Sequence, residues 1–359
     1  MAGKKILIIG FEKENYIKYP HLKDVVDFFQ LNSGAEYLYF SQRGYFLGYL
    51  QGIKPNIIYA LSILISIIDL LKFIFKNIKT KYSQIVVIDN FAYIATSIFS
   101  KKTILWSHDF VTNDQPHKKS FYQWIIFKGT SFFLKKNKKI IIQDIDRLKL
   151  FCESYHLDMS SLNVFYLPVS SRSVVREEFK RTLSIPKVLQ IGGINQYRSC
   201  SHDLVLQYQK SSRKYELYLH GFFDKHSILF IKKQDQIPFC STLELNASDV
   251  FKIVDKCDIG FIGYRSENLN FYYIAYASGQ LVEFLKLGKP IIAYGATNML
   301  DLVDKYKLGY SLQNINNLDY AIEYIALNYT ELSNNCTKLF NDIYNFDNYS
   351  KEFSQWIFE

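Results

Sequence analysis

The chain is poor in the residues that mark secreted or metal-built proteins. Its five cysteines, Cys152, Cys200, Cys240, Cys257 and Cys336, are scattered through 359 residues. None forms a C-x-x-C pair or a Cys/His cluster. An odd, dispersed set of thiols argues against a disulfide framework and a structural zinc, and for a reducing compartment. The opening apolar run, Ile6 to Ile9, is too short for a signal peptide and leads directly into a strand. The Asn-x-Ser/Thr triplets at Asn246, Asn328, Asn335 and Asn348 are then chance matches. There is no phosphate-binding P-loop, no G-x-G-x-x-G fingerprint and no pattern for a Ser/His/Asp triad. The longest apolar run, residues 57–75, approaches the length of a membrane span. Asp69 and Lys72 interrupt it, each at about 2.5–3.5 kcal/mol at a bilayer centre. It reads as a buried helix of a large α/β domain.

What the chain does have is length, apolar content and uneven charge. At 359 residues with 48% hydrophobic residues, it is comfortable for two cores. The net charge of +9 is not shared. Residues 1–170 hold 22 basic and 13 acidic side chains, and the remainder holds 21 of each. The first half therefore carries the whole excess, which points to an anionic partner for that half. No nucleic-acid motif accompanies these lysines, so nucleic acid is not that partner. The clearest segment is His117 to Lys139, where lysines alternate with Trp, Tyr and Phe. It reads either as an amphipathic core helix with a solvated basic end or as a face for an anionic membrane surface.

Strands are expected at Lys5–Gly10, Glu36–Ser41, Gln84–Asp89, Thr103–Ser107, Lys139–Gln143 and Asn163–Leu167, with helices between. This alternation predicts a doubly wound parallel sheet. Pro168 to Pro186 reads as a linker. A second alternation follows at Lys187–Gly192, Tyr215–His220, Ile237–Cys240, Asp258–Gly263, Pro290–Tyr294 and Gly309–Leu312. The helix Leu318–Leu327 comes next, and the tail from Phe346 has its own apolar spacing. Asp144-Ile-Asp146 follows a strand end and would suit a metal. The N-cap pattern for a helix Ile145–Tyr155 explains it better, so no metal site is expected.

The most informative stretch is Ser278 to Ala293. Leu281, Phe284 and Leu285 fall on one helical face. Ser278 reads as the N-cap, with Gly279 beside it. Gly288 and Pro290 stop the helix before a buried strand. A helix N-terminus opening on Ser-Gly suits a phosphate. A carboxylate one turn on, Glu283, suits the vicinal diol of a ribose. A well-capped helix before a core strand would look the same. Gly192-Gly193-Ile-Asn-Gln-Tyr-Arg198 follows another strand end, where open α/β sheets bind ligands. Arg198 would supply a bidentate cation there, or be a surface residue of a tight turn.

The stretch Leu281-Val-Glu283-Phe-Leu-Lys-Leu-Gly288-Lys-Pro290-Ile-Ile resembles the donor-site signature of GT-B glycosyltransferases, in particular the retaining family-four group. Two positions depart from the pattern. Ala275 stands where the family has a further Glu, and Gly193 where it has an Arg; Arg198 falls on the family's Lys. The likeness in layout spans the chain, whereas the specific motifs lie almost wholly in the second half.

The resemblance implies an α/β fold of two Rossmann-like doubly wound domains facing across a cleft (GT-B). Residues 1–170 would bind acceptor, 171–345 would bind a nucleotide-sugar, and a helix over 346–359 would cross back to the first domain. It implies a metal-independent, retaining transferase of bacterial surface-polysaccharide type. The donor is a nucleotide-sugar, UDP-sugar favoured, with no separate cofactor, and the acceptor is a glycan or a lipid-linked glycan. His108, in Ser107-His-Asp-Phe110, falls where the family often places a His near the donor sugar. It would orient the sugar in a same-face substitution. Gly10, Ser278, Gly279 and Gln280 join Arg198 and Glu283 as substrate-binding candidates. The expected location is cytoplasmic, peripheral on the inner face of the plasma membrane. A nucleotide-sugar epimerase and a non-catalytic partner subunit remain as alternatives.

Overall fold

A computed structural model describes residues 6–11, 20–33, 35–40, 68, 72, 82–88, 90–110, 112, 121–173, 185–212, 215–235, 238–241, 247–267 and 269–359. The loop from Phe11 to His21 lies largely outside them, as does most of the 57–75 run. Of that run only Ile68 and Lys72 are described, both helical and exposed. The chain divides into two compact units, Met1–Leu167 with Tyr349–Glu359, and Pro168–Asn348.

The first unit is built on six parallel strands, β1 (Ile6–Phe11), β2 (Glu36–Phe40), β3 (Gln84–Val87), β4 (Thr103–Trp106), β5 (Lys139–Ile142) and β6 (Asn163–Tyr166). Their spatial order is β2-β1-β3-β4-β5-β6. Helices α1 (Pro20–Ser33), α2 (Asn90–Phe99), α3 (Phe121–Asn137) and α4 (Ile145–Tyr155) accompany them. Ile6–Ile9, Ile85–Val87, Ile104–Trp106 and Ile140–Ile142 are all buried, as strands covered on both faces must be. The tail also packs here. Phe353 is fully buried, edge-on to Phe29 at 5.3 Å and tilted over Phe165 at 4.8 Å. Lys139 Nζ donates to the Trp356 carbonyl at 2.9 Å.

The second unit repeats the plan. Its strands are β7 (Lys187–Ile194), β8 (Glu216–Phe223), β9 (Phe239–Ser241), β10 (Ile259–Gly263), β11 (Ile291–Tyr294) and β12 (Gly309–Leu312), in the order β12-β11-β10-β7-β8-β9. Its helices are α5 (Ser201–Lys210), α6 (Lys225–Lys232), α7 (Ala247–Lys256), α8 (Leu269–Tyr272), α9 (Gly279–Lys286), α10 (Thr297–Tyr306), α11 (Leu318–Leu327) and α12 (Tyr329–Leu339). The tail helix α13 spans Asp347–Phe358. One core cluster joins Leu189 and Ile191 to residues of α7, α9 and α10. The other joins Val188 and Ile194 to residues of α5 and α11. From β7 the chain first winds to β8 and β9, then crosses to β10 and beyond. That reversal opens a crevice at the carboxyl ends of β7 and β10.

The start of the expected linker is not a linker. Val169 and Ser171 are buried. The Val169 N–H donates to Tyr276 at 2.9 Å and the Ser171 N–H to Tyr344 at 3.0 Å. These bonds tie residues 169–171 into the second unit. Residues 174–184 lie outside the described set.

Candidate functional site

The site is assembled at the reversal point of the second sheet. Ser278 caps α9 with extended backbone, φ −88° and ψ 106°. Its Oγ accepts from the Leu281 N–H at 3.2 Å and lies 2.9 Å from the Tyr264 hydroxyl. Helix geometry leaves the N–H groups of Gly279 and Gln280 without intrahelical acceptors. Glu283 follows one turn on and is 4% exposed.

Gln280 bridges this helix to β7. Gly192 has φ +97°, and a Cβ built there would sit 2.7 Å from Gln280 Nε2. A glycine is therefore favoured by the backbone angle, and a side chain there would displace the Gln280 amide. The amide of Gln280 lies directly against the end of β7. Its Oε1 is buried and has no hydrogen-bond partner among the described residues.

Arg198 is on the loop after β7. Asn195 Oδ1 accepts the N–H groups of Tyr197 at 3.1 Å and Arg198 at 2.7 Å, which makes a tight Asx turn. The Arg198 carbonyl accepts from the Arg265 N–H at 3.1 Å, so this loop is pinned to the one after β10. The Arg198 side chain is exposed and makes no hydrogen bond or ion pair with the described residues.

The Gly-Lys-Pro run has a structural task. Gly288 takes φ +55° and ends α9. Lys289 is 1% exposed. Its Nζ donates to the carbonyls of Asp255 at 2.7 Å and Cys257 at 2.6 Å, bracing the loop between α7 and β10. Ala275 is fully buried. Its N–H donates to Asn298 Oδ1 at 2.7 Å, and its carbonyl accepts from the Tyr344 hydroxyl at 3.2 Å.

Gly10 and His108 belong to the first unit. Gly10 is buried inside β1, opposite Tyr39 of β2, and the strand runs one residue past it. His108 stands two residues past β4, half-buried, with its ring 4.8 Å from that of Trp106. Burial first, and then the Arg147 charge, push its imidazole down to about 3. The ring is therefore neutral at ordinary pH.

Asp144 Oδ1 accepts the N–H groups of Asp146 at 2.8 Å and Arg147 at 2.9 Å, capping α4. Among the described residues no group of three His, Cys, Asp or Glu is placed to hold a metal.

Sequence reasoning missed one feature. A cavity of about 230 Å³ lies at the ends of β10, β11 and β12, lined by Tyr264, Arg265, Glu267, Tyr294 and Gln313 among others. Arg265 is paired with Asp203 at 2.9 Å. The signal available was the polar Tyr264-Arg-Ser-Glu267 run directly after a fully apolar strand.

No family model matches the chain, and no curated protein matches it. Solved structures do. The HepE protein of Anabaena, in complex with UDP and glucose, matches at a TM-score of 0.67 and 12% identity, over 98% of both chains. The lipopolysaccharide outer core galactosyltransferase WaaB, in its apo form, matches at 0.59 and 15%, over 99% of both. WaaG, a glycosyltransferase involved in lipopolysaccharide biosynthesis, matches at 0.64 and 11%, over 98% of this chain and 99% of that one. The chain has the GT-B glycosyltransferase fold. Within GT-B it resembles the family-four group, through the α9 signature ending in Gly-Lys-Pro.

Proposed function

We propose that the chain is a glycosyltransferase that moves a sugar from a nucleotide-sugar, UDP-sugar favoured, to a glycan or lipid-linked acceptor. The observation that carries this reading is the assembly at α9. An uncapped pair of N–H groups, the Gln280 amide against Gly192 and the Glu283 carboxylate one turn on all fall within two helical turns. The N–H groups suit the diphosphate and Glu283 suits the ribose diol. Arg198 adds an exposed cation for the phosphates. His108, as a neutral ring, orients the transferred sugar. The reaction is a retaining, metal-independent, same-face substitution, in which the leaving phosphate helps to stabilise the oxocarbenium-like state. HepE was solved with UDP, which favours uridine as the base.

The acceptor side belongs to the first unit. Trp124, Lys128 and Phe132 are exposed on α3 at intervals of four residues, and the exposed Lys135 and Lys136 follow three and four residues after Phe132. Ile98 and Phe99 are exposed at the end of α2. Such a basic and aromatic face suits the anionic inner leaflet of a bacterial membrane, where a lipid-linked acceptor for capsule, lipopolysaccharide or exopolysaccharide would be found.

The test is a thermal-shift panel of UDP, GDP, dTDP and CMP. A nucleotide at 100 times its dissociation constant should add about 2.7 kcal/mol of stability. A flat response to all four would sink the donor site. A response to UDP with no turnover of any UDP-sugar would favour a non-catalytic partner subunit. The burial of Ala275, with both its backbone groups bonded, is the observation on that side. A new sugar-nucleotide formed without acceptor would instead mark an epimerase.

A further inference from the structure

The end of β4 is held by an unusual brace. Arg147, on α4, is fully buried. Its Nη2 donates to the carbonyl of His108 at 2.6 Å, and its Nε to Gln143 Oε1 at 2.8 Å. Gln143, one residue past β5 and 1% exposed, donates its Nε2 to the Ser107 carbonyl at 2.7 Å. Two consecutive carbonyls past β4 are thus gripped by side chains from the neighbouring strand end and helix. Beyond them, the Arg147 guanidinium lies over the Phe110 ring, 5.2 Å from its centre. The Trp106 ring lies against His108 itself.

A buried guanidinium is a costly filler for a space that an apolar residue would occupy without desolvation. The nearby Asp109 and Asp144 charges offset part of that cost. What the arginine adds that an apolar side chain cannot is direction. Its planar fork fixes two acceptors at once, and one of them is the backbone of the histidine. Loops at strand ends are otherwise free to shift, and a displacement of about 1 Å at a reacting group costs up to about a hundredfold in rate.

We propose that Arg147 and Gln143 are positioning residues that hold the Ser107–His108 backbone so that the His108 ring keeps one orientation. This rests on the role given to His108 above. The brace leaves nucleotide affinity alone and acts on turnover through His108.

Two measurements on the full chain test it. In the first, the protein is labelled at the histidine ring carbons, and the His108 line is assigned by its loss in His108→Asn. Gln143→Ala and Arg147→Lys should shift and broaden that line while the other six histidines of the chain keep theirs. An unchanged His108 line in both variants would overturn the brace, as would a common change in all seven lines.

The second is a double-mutant cycle on UDP release from UDP-glucose. Gln143→Ala should lower kcat about tenfold with KM unchanged, and should cost almost nothing further in a His108→Ala background. Losses that multiply would show that Gln143 does not act through His108, and the proposal would fail. If the wild type does not turn over UDP-glucose, the transferase reading is what suffers, and the histidine lines still decide whether the brace exists.

Discussion

At Glu283 a carboxylate is 4% exposed on α9, the helix whose Gln280 side chain lies against Gly192 of β7. A hydrogen bond to a charged group typically contributes about 1.5–3 kcal/mol. Glu283→Gln should therefore weaken UDP binding, measured by calorimetry, by about one to two orders of magnitude with the fold intact. Arg198 is exposed, so a phosphate paired with it is screened by solvent. Arg198→Ala should cost about 1 kcal/mol or less, and less again at high salt. Unchanged affinity in both variants would remove the donor site from α9. His108 makes a different prediction. Its folded-state value of about 3 lies below the ordinary 6.5. As pH falls below 6.5, the unfolded chain takes up a proton that the folded chain refuses until about pH 3. Stability from this group is thus complete above pH 6.5 and declines as pH drops through that window, by up to about 1.4 kcal/mol per pH unit. His108→Asn should flatten the fall in urea midpoint between pH 6.5 and 5. An identical fall in variant and wild type would mean that the ring protonates in the folded state.

The elements differ in how openly the sequence declares them. The strands were legible because parallel strands covered on both faces are continuous runs of Ile, Val and Leu, as in Ile6–Ile9 and Ile140–Ile142. Helix α9 was legible because Ser278 starts it and Gly288 stops it. Helix α10 was not. Its N-cap position is Ala296, with no capping side chain, and it ends on Lys307 at φ +50° where a glycine would be the usual sign. Helix α12 follows α11 through Asn328 alone and is rich in Asn, Ser and Thr, which favour caps and turns. The site was legible where it is local, at Ser278, Gly279 and Glu283. The Gln280–Gly192 approach, the buried Lys289 and the brace on His108 are tertiary, and no spacing along the chain announces them. Gly288 gives the element-scale prediction. A Cβ there would lie 2.8 Å from Thr337 Oγ1 and 2.9 Å from Ser333 Oγ, at a φ that disfavours side chains. The left-handed angle alone costs about 1–2 kcal/mol. Gly288→Ala should lower the melting temperature by several degrees. No change at Gly288 would mean that α9 ends differently in solution.

For the whole molecule, the asymmetry of charge is the property that no single residue explains. All of the net +9 resides in residues 1–170, while residues 171–359, which include the α9 assembly, are balanced. Balanced charge around the proposed diphosphate site would keep the attraction local to Arg198 and the helix N-terminus. Excess positive charge on the other unit acts at longer range and favours an extended anionic surface. On α3 the exposed positions alternate between the two kinds of group that a headgroup layer accepts. Trp124 and Phe132 supply apolar anchors, and Lys128, Lys135 and Lys136 supply charge, with Lys136 lying 4.1 Å over the Phe132 ring. Lys118 and Lys119 of the same stretch lie outside the described residues. No described helix is long and apolar enough to cross a membrane. Attachment by the α3 face itself would be peripheral. Each lysine near an anionic surface contributes about 1 kcal/mol, and the attraction falls off within a Debye length of about 10 Å at 0.1 M salt. Full-length protein should therefore co-sediment with vesicles containing phosphatidylglycerol at low salt and release as salt rises. Replacing Lys128, Lys135 and Lys136 by Glu should abolish sedimentation, and Trp124→Ala should weaken it, with UDP affinity unchanged in both. If the wild type ignores such vesicles at low salt, the inner-leaflet placement fails. The aromatic and basic face of α3 would then have to be read as a surface for a soluble glycan acceptor.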